Sequence, residues 1–181
     1  MVSGAGAAPA TALEGWLAEL CIAPLDHGER EGVHSWDVVL HGRRRRDIRI
    51  TLILQPSVAC LAWVHYAPPL ADGFRKSYRQ LLRWNDELPF AKFGLAEDER
   101  LVLTAELPAA GLDRDRLGLA LARLVGMCDL LLDASRHWIW PLGSQPAGPK
   151  GARPSALLER YAEQLAELTP APPEPAGTGA A

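Results

Sequence analysis

The side chains able to do acid–base, metal or nucleophilic chemistry are scattered along this 181-residue chain. Five histidines, His27, His34, His41, His65 and His137, form no HExxH, and the three cysteines, Cys21, Cys60 and Cys128, form no CxxC, so no metal-ligand spacing is present. Gly148-Pro149-Lys150-Gly151 lacks the Ser or Thr that a phosphate loop carries after its lysine. Gly143-Ser144 lacks the flanks of a hydrolase elbow. Gly4-Ala5-Gly6 has Pro9 where a dinucleotide fingerprint needs its third glycine. The sequence therefore predicts no catalytic set, no metal and no cofactor.

Two groupings carry binding chemistry instead. Arg43, Arg44, Arg45 and Arg46 run together in a loop, and Arg75, Lys76, Arg79 and Arg83 lie along one flank of a helix. Together they can form one basic patch for nucleic acid or an acidic peptide. Asp47, Asp86 and Glu87 sit among them, the net charge is -3, and no base-stacking aromatics accompany the arginines. Nucleic-acid binding is thus the lesser reading. The other grouping is apolar: Val39, Ile53, Leu61 and Trp63, with His65, fall on the side of their strands opposite the core residues. That side is either covered or a contact surface for protein.

The elements that must position these groups follow from periodicity. Three segments alternate with period two: 35–41 with Trp36, Val38 and Leu40 inward, 47–54 with Ile48, Ile50, Leu52 and Leu54, and 58–66 with Val58, Cys60, Ala62, Val64 and Tyr66. Short connections, GRRRR and QPS, make them an antiparallel meander. An amphipathic helix then carries Phe74, Tyr78, Leu81, Leu82 and Leu88, and Pro89 turns it into a second hairpin, 91–95 and 101–107, around an acidic turn at 96–99. A long helix capped by Asp113, with Leu117, Leu121, Leu124, Cys128, Leu131 and Leu132 in one stripe, is the expected partner of the sheet. Ahead of the meander, Thr11-Ala-Leu-Glu14 reads as a capping box for a short helix from about Ala12 to Cys21, and residues 25–34 read as a polar loop.

With 48% hydrophobic residues the chain can bury one core. The expected organisation is a tail at 1–10, one domain at 11–141, a Gly/Pro linker at 142–154, an additional amphipathic helix at 155–168 with Leu158, Tyr161, Leu165 and Leu168 on one side, and a disordered tail at 169–181. No apolar run reaches the roughly 20 residues of a membrane-spanning helix. The cysteines, set in apolar surroundings, read as buried thiols of a reducing compartment, so a cytoplasmic protein without membrane contact is expected.

The order of these elements, with RRRDIRITLIL, YRQLLRWNDELPFAKFGL and LVLTAELP in sequence, resembles the YbjN family of bacterial proteins, grouped with type III secretion chaperones, over roughly residues 11–140. The resemblance implies an α+β domain of chaperone-like fold, an antiparallel sheet of three strands plus a hairpin with helices on one face, often self-associating and without catalytic residues. The expected function is a non-enzymatic interaction module that binds a peptide segment or a second copy, as a homodimer, through a helix and the exposed sheet surface. A small-ligand sensor or an enzyme with a pocket between helix and sheet is the alternative of a different class. The helix after Pro141 departs from the family pattern, and it can fold back over the surface a partner would use.

Overall fold

The computed structural model describes residues 7–69, 75–135 and 153–168. In chain order the elements are α1 (Ala7–Glu19), β1 (Asp26–Arg30), β2 (Val33–Leu40), β3 (Ile48–Gln55), β4 (Ala59–Pro69), α2 (Arg75–Glu87), β5 (Lys92–Leu95), β6 (Arg100–Pro108), α3 (Arg114–Ser135), α4 (Leu157–Arg160), α5 (Ala162–Leu165) and a 3-10 turn (Ala166–Leu168). The six strands form one sheet in the order β1-β2-β3-β4-β6-β5, with every neighbouring pair antiparallel.

Alternation decides which way the sheet faces. Trp36, Val38, Leu40, Ile48, Ile50, Leu52, Leu54, Cys60, Ala62, Val64 and Tyr66 are all buried and share one core with Leu13 and Leu17 of α1 and with Leu117, Leu121, Leu124 and Cys128 of α3. Two helices thus cover one face, as period-two strands with an apolar side require. Asp113 caps α3 as its position predicts, its Oδ1 accepting the Arg116 amide at 2.8 Å.

The sheet has six strands rather than three plus a hairpin, because residues 26–30 form an edge strand where a polar loop is expected. Every residue of β1 is exposed, so no hydrophobic alternation marks it. Its hairpin with β2 turns at Glu31 and Gly32, with φ of 55° and 78°. Two successive positive φ values are the geometry of a type I′ turn, and Glu-Gly is a weaker signal for it than Asn-Gly. At the N-terminus α1 begins at Ala7, so Thr11 lies inside the helix instead of capping it. Pro9 is tolerated there because amides of a first turn have no helical acceptor.

In α2 the expected stripe is partly displaced. Leu81 is buried, but Leu82 is 67% exposed and Trp84 takes the inward position. Trp84 meets Phe93 of β5 at 5.8 Å between ring centroids, and Phe93 meets Tyr66 edge-on at 5.0 Å. Phe74 lies outside the described residues.

Residues 153–168 lie along α3, where Leu157, Leu158 and Tyr161 are buried. It is a broken helix, interrupted at Tyr161 with φ −111° and ψ 26°. Among the described residues, no helix lies on the other face of the sheet.

Candidate binding face of the sheet

The uncovered face is organised by strand register. Cross-strand pairing of Ser35 with Ile53, Ile53 with Leu61 and Leu61 with Glu106 makes one row. Asp37 with Thr51, Thr51 with Trp63 and Trp63 with Thr104 makes the next, and one step further along Val39 pairs with Arg49 and His65 pairs with Val102. Val39, Ile53, Leu61, Trp63 and His65 are each half-buried, and none of the four apolar ones belongs to the core that the helices cover. Ile53, Leu61 and Trp63 come together. Val39 stands two rows from Ile53, with Asp37 and Thr51 between, so it is not part of that cluster.

A polar line crosses the face beside the cluster. Thr51 Oγ1 donates to Asp37 Oδ1 at 2.6 Å and lies 3.2 Å from His65 Nε2. Since the single hydroxyl proton is engaged by the carboxylate, Nε2 must be the donor of the second bond, which fixes the tautomer and leaves Nδ1 as an acceptor. Burial, with Arg100 and Arg49 beside the ring, holds His65 below the ordinary histidine range against the opposing pull of Asp37 and Asp98. Trp63 stacks at 6.2 Å on the His65 ring. Its Nε1 is shielded from solvent without an acceptor among the described residues. The arrangement suits binding: an apolar cluster for burial, and a polar line for register. Sequence reading misses Asp37 and Thr51, although the β2–β3 register, symmetric about Arg44, places them opposite each other.

The basic groups divide. Asp129 of α3 accepts the backbone amides of Arg43, Arg44 and Arg45 at 2.6, 3.1 and 2.7 Å, and so winds the loop around one carboxylate. Gly42 is needed for this approach, because a Cβ there would overlap the Asp129 carboxylate. The winding turns Arg45 inward: it is buried, its Nη2 donates to Tyr66 O at 2.5 Å, and its guanidinium lies 4.7 Å from the centre of the Tyr66 ring. Arg45 is therefore a structural cation and drops out of the exposed cluster. Arg46 Nη1 donates to the Gly42 carbonyl, closing the same loop. Arg43 and Arg44 stay exposed, as do Arg79 and Arg83 on α2, while the side chains of Arg75 and Lys76 lie outside the described residues.

A six-stranded antiparallel sheet with helices on one face, and a match of residues 9–136 to the profile of a family described as YbjN, putative bacterial sensory transduction regulator, decide the affiliation. The chain belongs to the YbjN family. Among solved structures, the YbjN domain is similar to the Yersinia pestis type III secretion chaperone SycH, crystallised in complex with a stable fragment of YscM2. The likeness spans 68% of this chain and 98% of that one, at 19% identity and a TM-score of 0.49. No curated protein matches. Among the described residues of this YbjN protein, no group of three or more His, Cys, Asp or Glu side chains is placed to hold a metal ion. No described helix is long and apolar enough to cross a membrane.

Proposed function

We propose that this YbjN chain is a non-enzymatic regulatory interaction module that binds an apolar protein segment, from a partner or from a second copy, across the open face of its sheet. The observation that carries the reading is the Ile53–Leu61–Trp63 cluster, which lies on the uncovered face outside the core and next to a hydrogen-bonded polar line. Burying aromatic and aliphatic side chains of this kind contributes about 1.5–3 kcal/mol each. An adjacent Trp is the residue type that most often anchors such contacts. The family description as a putative regulator agrees with a binding rather than a catalytic role.

The test is the pair Leu61→Ser and Trp63→Ala. Both side chains lie outside the core, so thermal unfolding should stay cooperative. Self-association by sedimentation velocity, or the affinity for peptides selected from a displayed library on the wild-type protein, should fall at least about tenfold. Unchanged sedimentation together with unchanged peptide affinity would overturn the reading.

A further inference from the structure

Helix α3 is apolar nearly all the way round, and the sheet covers only one side of it. Its outer side carries Gly118, Ala122 and Gly126, four residues apart and therefore in line along the helix. The strap formed by residues 153–168 is seated on that line. A Cβ on Gly118 would collide with the Tyr161 hydroxyl, and one on Gly126 would meet Leu168 Cδ1 at 3.4 Å and Leu165 Cδ2 at 3.7 Å. The small residues make room for a helix carrying an aromatic residue followed by leucines at the fourth and seventh positions.

The strap fills this seat incompletely. Its helix breaks at Tyr161 into two four-residue pieces, each too short to be stable alone. An open groove of about 470 Å³ remains where the strap, α3 and the β2–β3 loop meet, lined by Asp129 and Leu130 of α3, the exposed Ala162 and Ala166 of the strap, and Arg43 and Arg44 of the loop. Polar ties among the described residues include Ser155 N to His41 O at 2.8 Å, His41 N to Ser155 Oγ at 2.9 Å, and Tyr161 Oη to Asp115 Oδ1 at 3.2 Å. The strap also lies beyond the family match, which ends at residue 136, so the groove belongs to the family domain and its cover does not.

We infer that the outer groove of α3 is a docking site for an amphipathic helix of a partner protein, occupied in cis by a strap that buries Leu157, Leu158 and Tyr161 but leaves the far end of the groove open. The partner helix repeats the spacing of Tyr161, Leu165 and Leu168 and carries bulkier apolar residues where the strap has Ala162 and Ala166. Those residues cover the open groove, and an acidic group beside them meets Arg43. Helix-in-groove recognition works through anchors at this spacing, and a ligand that covers the open groove displaces the strap because it buries apolar surface that the strap leaves facing water. The groove is on the helical side of the domain, so the inference does not depend on the sheet face.

The experiment uses the full chain with a protease site placed within 144–150, cut after folding, and fluorescent peptides of residues 153–168. The labelled strap peptide should exchange into the cut protein while the amides of β3 and β4 keep their hydrogen-exchange protection. A peptide with Ala162→Leu and Ala166→Met should bind roughly tenfold tighter, as expected from burying several further methylenes. One with Tyr161→Ala should bind at least about tenfold more weakly. A strap that leaves only when the whole domain unfolds would overturn the proposal, because it would then be a fixed part of the core. Equal affinity of the bulkier peptide would overturn it too. The Leu61→Ser and Trp63→Ala variants should exchange the peptide as the wild type does, which keeps this result separate from that of the sheet face.

Discussion

The side-chain amide of Asn85 holds both backbone groups of Phe93: its Oδ1 accepts the Phe93 amide at 2.6 Å and its Nδ2 donates to the Phe93 carbonyl at 3.0 Å. Phe93 lies on β5, the edge of the sheet, and these two groups point away from β6. Asn85 therefore stands where the peptide group of a seventh strand would be. Lys92 reinforces the clasp by donating from Nζ to the Asn85 carbonyl. Edge strands need such covers because open backbone groups template pairing between chains.

Replacing Asn85 by Ala leaves both groups of Phe93 unpaired at a half-buried site. The expected loss is about 2–3 kcal/mol, two hydrogen bonds of ordinary strength plus partial desolvation. The variant should also aggregate faster on warming, through the released edge. Chemical denaturation and light scattering measure the two effects; a loss below about 0.5 kcal/mol would show that the clasp does not hold the edge.

Asp129 is the centre of the β2–β3 loop, and its three amide bonds are charge-assisted. Asp129→Ala should cost about 3 kcal/mol or more and release Arg45 from Tyr66. Asp129→Asn keeps one acceptor oxygen, enough for the Arg44 and Arg45 amides, but turns its NH2 toward the Arg43 amide, so it should recover only part of that loss. Urea titrations of the two variants give the comparison, and equal losses would count against a charge-assisted loop.

His65 links the binding face to pH. Its folded-state affinity for a proton is lowered by burial and by Arg100 and Arg49, so the unfolded chain takes up the proton more readily. The contribution is fully present above about pH 6.5, the ordinary histidine value, and is lost as pH falls through the lower folded value. His65→Gln keeps a donor to Thr51 and removes the titration. The difference in stability between wild type and variant should shift against the wild type on acidification, measured by thermal melts from pH 8 to 5. A difference that stays constant would exclude His65 as the titrating group.

How far these features were legible depends on whether they leave a pattern in the chain. The three central strands were, because buried residues alternate with half-buried or exposed ones within 33–40, 48–54 and 59–66, although Val58, expected inward, is exposed at the turn. Strand β1 was not, since exposure on every residue erases alternation and only the Glu31–Gly32 turn marks it. The exposed-face residues Ile53, Leu61 and Trp63 followed from parity alone. The separation of Val39 from them required register, and the burial of Arg45 required knowing that Asp129, far along the chain, would draw the loop inward. Charge runs look alike in a sequence whether their members reach water or a carbonyl.

Cys21 departs from the buried thiols expected: it is exposed, whereas burial raises Cys60 to about 12 and Cys128 to about 11. It sits at the end of α1 with φ 58°, its amide donating to Ala18 O at 3.0 Å while Ile22 N donates to Leu17 O at 2.9 Å. That pair of bonds is the Schellman closure of a helix, whose left-handed position glycine usually fills. An L residue there costs about 1–2 kcal/mol, and glycine recovers it less the roughly 0.5–1 kcal/mol of extra chain entropy it loses on folding. Cys21→Gly should therefore stabilise the protein by up to about 1 kcal/mol in urea. In the native wild type, iodoacetamide at mildly alkaline pH should add one group, at Cys21, and three only after unfolding, since reaction needs the thiolate. Native labelling of Cys60 or Cys128, read by peptide mass, would show that the core around them opens. A Cys21→Gly variant less stable than wild type would mean that the thiol makes a contact worth more than the strain it carries.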